Sequence, residues 1–231
     1  MNEQLTLALG HRAALGADDF VVSQSSAAAV AWIDRWPDWP APALVIVGPP
    51  ASGKTHLAEV WRQRSGARLV AAAALRREAV AELAAASLAG KPAVVVEDAD
   101  RAAEAGQADE RALLHLFNLL REAGGHLLLT GRTPPARWPL ALPDLSSRLA
   151  ALPVAALAPP DDAVLEAVIV KLFADRQLRV EPDVVRFLAN RIDRSFAAVA
   201  EAVAALDRAA LAHGRAVTVP LVRSVLPSTI E

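Results

Sequence analysis

The most restrictive feature of this sequence is a P-loop pattern, which lies between a short apolar run and a predicted helix. Residues 43–47 are rich in β-branched side chains and too short for a buried helix, so they predict a buried strand. The predicted helix runs from His56 onward. The pattern itself reads Gly48, Pro49, Pro50, Ala51, Ser52, Gly53, Lys54 and Thr55. This order of strand, loop and helix predicts a site for a nucleoside phosphate.

The residue types in the loop assign a role to each part. Glycines let the backbone turn tightly, so that N–H groups at a helix N-terminus point at phosphate oxygens. We expect Lys54 to reach the β- and γ-phosphates and the Thr55 hydroxyl to bind Mg²⁺, with His56 beside the nucleotide. ADP or ATP with Mg²⁺ is therefore the predicted cofactor. A plain Gly/Pro turn is the alternative, which the strand and helix on either side disfavour.

Composition excludes several classes of protein. The 231-residue chain is 54% hydrophobic, enough for a substantial core in one large domain or two small ones. It contains no cysteine, so disulfides and thiolate metal sites are excluded. A net charge of −2 with dispersed basic residues argues against an autonomous nucleic-acid binder. Because we find neither a membrane-length apolar run nor the pattern of a signal peptide, we expect a cytoplasmic protein without membrane association.

The first two thirds of the sequence predict an α/β fold. Short buried-strand candidates alternate with helical segments, a pattern typical of a parallel sheet with helices on both faces. The strands are predicted at residues 43–47, 68–72, 93–97, 126–130 and 152–155, and the helices at 57–63, 75–86 and 110–123.

Beyond Pro159 and Pro160 the pattern predicts helices only. Four helices of a small α-helical domain are expected, each marked by residues that favour helix ends. The markers are Asp161 or Asp162 as the cap of the first helix, Pro182 at the start of the second, Gly214 after a third at 196–213, and Pro220 at the start of the fourth.

A second chemical signal lies at the end of the strand predicted at 93–97. Glu97 and Asp98 place carboxylates at its C-terminal end, where they can hold Mg²⁺ and orient an attacking water, as a Walker B motif does. The order of the two acids admits two registers, so their separate roles stay open. The alternative, acids that only solvate a strand end, is less favoured beside a P-loop.

The N-terminus carries a peptide with regularly spaced leucines. In an extended segment Leu5, Leu7 and Leu9 share one side, behind the polar Gln4. Such a peptide fits a groove on a partner protein. From these residues alone, an edge strand docked on its own domain is equally favoured.

The sequence resembles the DnaA/Hda family of AAA+ proteins over nearly its whole length. The most specific segment, 142–149, resembles the family's box with the arginine finger, which falls on Arg148. The other segments are Asp19 to Val22 with the following helix, the P-loop, Glu97 with Asp98, 129–131 with Pro134 and Pro135, 190–194 and 206–208.

The resemblance implies an architecture of three parts. It predicts a clamp-binding peptide at residues 1–10, an AAA+ α/β domain at 11–158 and an α-helical lid domain at 159–231. No autonomous DNA-binding domain is expected after the lid, since the helix-turn-helix domain of DnaA would need more chain.

The resemblance also implies a function, that of a negative regulator of chromosomal replication initiation. Such a protein binds ADP or ATP, docks on the DNA-loaded sliding clamp and promotes hydrolysis of DnaA-bound ATP. The expected partners are the clamp and DnaA, and a homo-oligomer is also compatible. The clamp-binding residues would be Gln4, Leu5, Leu7 and Leu9. The alternative is an autonomous AAA+ ATPase, such as a helicase-loader or clamp-loader component, which uses its own Glu97 and Asp98.

Arg148 also has a physical argument. A planar, permanently charged guanidinium at a subunit edge can stabilise the γ-phosphate bound by a neighbour, as a finger acting in trans. The alternative is a surface arginine paired with Asp144.

Three departures from the family bear on catalysis. Arg132 stands where the sensor-1 loop has an aspartate, which leaves Thr130 as the nearest small polar group. Ala197 aligns with the sensor-2 arginine, so that only Arg194 nearby could substitute. The Walker B pair is Glu97 followed by Asp98, whereas the family more usually has an aspartate followed by a second acid. We therefore expect slow or no intrinsic turnover, with the nucleotide as a structural and switching element.

Overall fold

The computed structural model describes residues 24–85, 90–213 and 215–226. Its centre is a five-stranded sheet in which every neighbouring pair is parallel, in the order β2-β3-β4-β1-β5. The strands are β1 Ala43–Val47, β2 Arg68–Ala71, β3 Ala93–Glu97, β4 His126–Gly131 and β5 Val154–Ala156. The predicted parallel α/β fold is therefore confirmed.

Helices cover both faces of the sheet because its strands bury side chains on each side. Toward one face point Val45 and Val94, which pack with Leu116 and Leu149. Toward the other point residues such as Leu44, which packs with Ile33 and Trp61. The helices of this part are α1 Gln24–Asp34, α2 Lys54–Ser65, α3 Val80–Leu83, α4 Ala99–Glu104, α5 Glu110–Glu122 and α6 Pro143–Ala150.

The four helices that come after β5 have a core of their own. Phe173, Leu188 and Leu206 are fully buried at its centre. The Asp161 side chain accepts a hydrogen bond from the backbone N–H of Val164 at 2.9 Å, and so caps the first of these helices. Their bounds are α7 Asp162–Asp175, α8 Pro182–Ala189, α9 Phe196–His213 and α10 Val219–Val225. A helical lid domain therefore comes after the sheet, as predicted.

Two local predictions differ from the structure. The helix predicted at 75–86 is reduced to a 3₁₀ turn at Arg77–Ala79 and the one-turn α3, because the backbone of Arg76 is extended (φ −134°, ψ 153°) and separates Leu75 from that turn. Helix α4 was not predicted. It begins directly after the Walker B strand, at a turn where Asp98 adopts a left-handed backbone with φ 55°.

Across the residues that the structure describes, no helix is both long enough and apolar enough to span a bilayer.

Candidate functional site

The strand order brings the P-loop, the Walker B acids and Thr130 to the same end of the sheet. Strand β4 lies between β1 and β3, and its Gly131 is in register with Val47. The backbone N–H of Gly48 donates to the carbonyl of Gly131 at 3.2 Å. The P-loop, the acids at the end of β3 and Thr130 near the end of β4 therefore all lie at the carboxyl ends of neighbouring parallel strands.

Lys54 is buried in the P-loop and hydrogen-bonded to the loop itself. Its Nζ donates to the carbonyls of Gly48 at 2.9 Å and Pro49 at 2.7 Å. Burial lowers the pKa of this ammonium, against the opposing effect of the Asp98 and Asp100 carboxylates. A desolvated cation held by two neutral carbonyls gains more from a phosphate oxygen, because hydrogen bonds between ionised partners are the stronger ones.

The P-loop backbone is closely packed. A Cβ on Gly48 would lie 2.5 Å from the carbonyl oxygen of Leu157 and 2.8 Å from Ser52 Oγ, so only glycine fits there. Gly53 has φ 96° and Ala51 has φ 55°, both in the left-handed region. The Ser52 hydroxyl is buried without a hydrogen-bond partner, in agreement with a loop shaped to receive a ligand.

A cavity of about 430 Å³ lies between the P-loop and the lid. The two walls are joined by a hydrogen bond from the backbone N–H of Phe196, the first residue of α9, to the carbonyl of Ala51 at 3.3 Å. Burial also lowers the pKa of His56 on the loop side. The lining residues are Ala51, Gly53, Lys54, Thr55 and His56 from the loop, and Val168, Lys171, Leu172, Asp175, Phe196, Ala197 and Ala200 from the lid. A charged loop facing a largely apolar lid is the chemistry expected for the phosphates and the base of a nucleotide.

The two Walker B acids occupy different environments. Glu97 is half-buried, and its Oε1 is fully buried without a partner in the structure. Asp98 is exposed, and its carboxylate lies 3.8 Å from Arg101. The backbone N–H of Asp98 donates to Thr130 Oγ1 at 3.1 Å, so Thr130 positions the turn at Asp98, directly after Glu97.

These acids fit an Mg²⁺ that is held together with phosphate. In the described ranges no group of three or more His, Cys, Asp or Glu side chains is placed to bind a metal alone. Mg²⁺ at nucleotide sites usually takes only one or two carboxylates and fills its shell with water and phosphate oxygens. The unpartnered Glu97 oxygen, the exposed Asp98 and the exposed Thr55 are the candidates for such an incomplete set.

Asp100 is the site residue that sequence reasoning missed. It is 1% exposed, and its carboxylate accepts three backbone N–H groups. The donors are Arg101 at 2.8 Å, Arg132 at 2.5 Å and Thr133 at 3.2 Å. It thereby ties the loop after β4 to the Walker B segment. The sequence signal that could have identified a buried role for this acid was its position between the small apolar residues Ala99 and Ala102, both of which the structure buries.

The other predicted arginines lie away from the lining of the cavity. Arg148 Nε donates to Asp144 at 2.7 Å and its Nη1 to Asn118 at 3.3 Å, and 30% of the side chain is exposed. The pairing weighed as its alternative role is thus present, at a surface that a neighbour could reach. Arg194 pairs with Asp162 at 2.8 Å, whereas Ala197 does line the cavity. The predicted clamp-binding residues Gln4, Leu5, Leu7 and Leu9 and the segment Asp19 to Val22 lie outside the described residues.

Comparison with known proteins gives matches to the lid and to the whole fold. Residues 162–226 match the family described as Hda, lid domain. Domain III of the replication initiation protein DnaA from Thermotoga maritima aligns with a TM-score of 0.72 and 19% identity, over 90% of this chain and 93% of that one. DnaA from Aquifex aeolicus bound to AMPPCP aligns with a TM-score of 0.63 and 15% identity, over 80% of this chain and 62% of that one. A RuvB mutant from Thermotoga maritima aligns with a TM-score of 0.64 and 13% identity, over 79% of this chain and 60% of that one.

The fold and its P-loop define an AAA+ protein: a parallel sheet with the nucleotide loop after β1, followed by a helical lid. Within this fold, residues 162–226 are similar to the Hda lid domain, and the chain as a whole shares the fold of DnaA domain III.

Proposed function

We propose that this protein is a negative regulator of chromosomal replication initiation. In this proposal it binds ADP or ATP, docks on the DNA-loaded sliding clamp through Gln4, Leu5, Leu7 and Leu9, and promotes hydrolysis of DnaA-bound ATP by presenting Arg148. The observation that carries the proposal is the Hda-type lid at 162–226, joined to a P-loop sheet.

The cavity supports nucleotide binding by this chain. Lys54, the loop N–H groups and the Ser52 hydroxyl offer donors to phosphate oxygens, and Val168, Leu172 and Phe196 offer an apolar wall to a base. The AMPPCP in a structurally similar DnaA supports the same class of ligand. Glu97, Asp98 and Thr55 would hold the Mg²⁺, which supplies positive charge to the phosphates when it is bound.

Slow turnover by this chain is expected from the residues around the cavity. The lid contributes Ala197 where the family has a sensor-2 arginine, and Arg194 is engaged with Asp162. Arg132 replaces a carboxylate beside the phosphate site, and a guanidinium cannot accept a proton from water. We therefore expect the protein to retain its nucleotide and to hydrolyse it slowly.

The position of Arg148 supports action on a neighbour. It lies on α6, held by Asp144 of the same helix and Asn118 of α5, which limits the positions of the guanidinium. Exchange of an exposed ion pair for a γ-phosphate contact costs little, because such pairs contribute only about 0–1 kcal/mol.

The experiment is to measure hydrolysis of DnaA-bound ATP with this protein, in the presence and in the absence of clamp-loaded DNA. Stimulation only in the presence of both the protein and clamp-loaded DNA is expected. No stimulation under that condition would contradict the proposal.

An autonomous AAA+ ATPase, such as a helicase-loader or clamp-loader component, is the second candidate. The buried, unpartnered Oε1 of Glu97 favours it, because this carboxylate is available to act in the chain's own site. Purified protein discriminates between the two functions. Retained nucleotide with little turnover supports the regulator, and fast turnover by the protein alone supports the autonomous enzyme.

A further inference from the structure

The lid wall of the nucleotide cavity carries an acid. Most of the lid side chains that line the cavity are apolar, among them Val168, Leu172 and Phe196. Asp175, the last residue of α7, lines the same cavity and is exposed to solvent. Of the described residues in this lining, Asp175 alone carries a carboxylate. A negative charge therefore lies on the lid side of a cavity whose other wall is the P-loop.

The side chain of Asp175 is not engaged by the basic residue next to it. Arg176 Nη1 donates to the Leu172 carbonyl at 2.9 Å, and its Nε lies 3.6 Å from Asp207. In the part of the chain that the structure describes, no basic side chain forms an ion pair with Asp175. The two carboxylate oxygens can therefore accept hydrogen bonds from a ligand in the cavity.

The position of this acid is unfavourable for the helix that carries it. The free carbonyls at a helix C-terminus carry a partial negative charge, which repels an aspartate and attracts a basic residue. Helix α7 ends at Asp175 and has no basic residue in its last turn. An acid that lowers the stability of its helix, with no ion pair to compensate, is the pattern expected of a binding residue.

The chemistry of a carboxylate limits what it can bind in a nucleotide. Phosphate oxygens are negatively charged acceptors, so Asp175 repels them. The hydrogen-bond donors of an adenosine phosphate are the two ribose hydroxyls and the amino group of the base. Two carboxylate oxygens suit a vicinal pair of hydroxyls, and an acidic residue binds the ribose 2′-OH in dinucleotide-binding folds. The base is better matched by the apolar side chains of the lid wall.

We propose that Asp175 binds the ribose hydroxyls of the nucleotide and makes this site select ribonucleotides over 2′-deoxyribonucleotides. The phosphates bind the P-loop, the base packs on the apolar lid wall, and the sugar that joins them donates its O–H groups to Asp175. The inference rests on nucleotide binding as proposed above, and concerns which sugar the site accepts and which residue selects it.

Calorimetric titration of the full chain with the Mg²⁺ complexes of ADP and 2′-deoxy-ADP tests the proposal. The wild type is expected to bind ADP about tenfold or more tightly than 2′-deoxy-ADP, as for loss of a hydrogen bond to a charged group. Asp175→Ala should bind the two nucleotides about equally, with an affinity for ADP lowered by a similar factor. Asp193→Ala is the matched control, because Asp193 is an exposed lid aspartate outside the cavity lining, and it should keep the wild-type preference.

A third ligand distinguishes the sugar from the base. Inosine diphosphate has the same ribose but lacks the amino group of adenine. If Asp175→Ala lost a wild-type preference for ADP over inosine diphosphate and kept the preference for ADP over 2′-deoxy-ADP, Asp175 would bind the base and the ribose assignment would be wrong.

The remaining outcomes separate this inference from nucleotide binding itself. Equal wild-type affinity for ADP and 2′-deoxy-ADP, or an unchanged preference in Asp175→Ala, would overturn the inference and leave nucleotide binding intact. Failure of the wild type to bind any of the three ligands would overturn both. Because the helix end repels Asp175, the ligand-free melting temperature of Asp175→Ala should not fall below that of the wild type. A lower value would assign Asp175 a structural role instead.

Discussion

The Thr130 hydroxyl accepts the backbone N–H of Asp98 at 3.1 Å and so connects the end of β4 to the turn after β3. Asp98 has φ 55°, a conformation that non-glycine residues adopt only when their surroundings hold them there. Thr130 is 2% exposed, so water does not replace it as the partner. One buried hydroxyl therefore sets the direction of the turn at Asp98, directly after Glu97.

Replacement of Thr130 tests this link. Thr130→Val keeps the volume but leaves the Asp98 N–H without a partner, and is expected to lower the free energy of unfolding by about 1–3 kcal/mol. Denaturant titration measures the change. Thr130→Ser keeps the hydroxyl and is the control. If Thr130→Ser and Thr130→Val had the same free energy of unfolding, loss of the hydrogen bond would not be the cause of the destabilisation.

Removal of the Lys54 ammonium should abolish the stabilisation of the fold by bound nucleotide. Lys54→Ala removes the ammonium that is proposed to bind the phosphates, and should abolish the rise in melting temperature that ADP is expected to cause in the wild type. A ligand at a hundred times its dissociation constant stabilises a protein by about 2.7 kcal/mol. Lys91→Ala is the control, because Lys91 precedes β3 at the opposite end of the sheet. Unchanged ADP retention in Lys54→Ala would refute the role of the P-loop.

The N-terminal leucines are predicted to decide clamp binding. Leu7→Ala with Leu9→Ala removes two apolar anchors whose burial is worth roughly 3–6 kcal/mol before the cost of ordering the peptide. Binding to immobilised clamp should be lost, with nucleotide affinity unchanged. Thr6→Ala changes the other side of an extended peptide and should bind normally. Full clamp affinity in the double variant would contradict the docking peptide.

Removal of Arg148 should separate regulation from binding. Arg148→Ala is expected to keep nucleotide and clamp binding and to lose stimulation of hydrolysis by DnaA, because an arginine finger typically contributes about 10³ to 10⁵ in rate. Arg148→Lys should rescue poorly, since a point charge cannot replace the planar fork. Arg111→Ala, on the exposed side of α5, is the control. The finger assignment fails if DnaA hydrolysis is unaffected, or if Arg148→Ala loses its own nucleotide.

His126 should make stability depend on pH. Its ring makes edge contacts with the rings of Trp36 and Trp39, and its Nε2–H donates to the Pro37 carbonyl at 3.2 Å. Burial lowers the pKa of His126, with a further lowering by Lys91, against the raising effect of the Pro37 bond.

The direction of the effect is set by that lowered pKa. As the pH falls below about 6.5, the unfolded chain binds a proton that the folded state still excludes. The free energy of unfolding therefore decreases until the folded-state pKa is passed. Urea titrations between pH 7.5 and 5 should show a smaller decrease for His126→Gln than for the wild type. His115→Gln, exposed on α5, should retain the wild-type decrease, and an equal decrease in all three would contradict the assignment.

Much of the fold was predictable because its signals are local. The run at β1 and the apolar stretch at β3 are too short and too β-branched for helices, and Asp161 and Pro182 mark helix starts by their own chemistry. Asp100 was not predictable in this way. Its partners Arg132 and Thr133 lie 32 and 33 residues away, and meet it only because β4 is inserted between β3 and β1.

Alanine composition limited the prediction of helix lengths. Residues 75–86 have strong helix formers, but propensity contributes only tenths of a kcal/mol per residue, and the packing of Leu75 and Val80 in the core determines the path. The different environments of Glu97 and Asp98 could not be predicted from the sequence for a related reason. The left-handed turn at Asp98 makes one acid half-buried and the other exposed, and no local pattern encodes that turn.

The hydrogen bond from the Phe196 N–H to the Ala51 carbonyl joins the first turn of α9 to the P-loop. A peptide unit is rigid, so a ligand that rotates the Ala51 carbonyl must also stretch this bond or carry the start of α9 with it. Helix α9 runs through the core of the lid as far as His213, and so transmits such a tilt along its length. Filled and empty sites would then differ in the surface that the lid displays to other proteins, at a distance from the nucleotide.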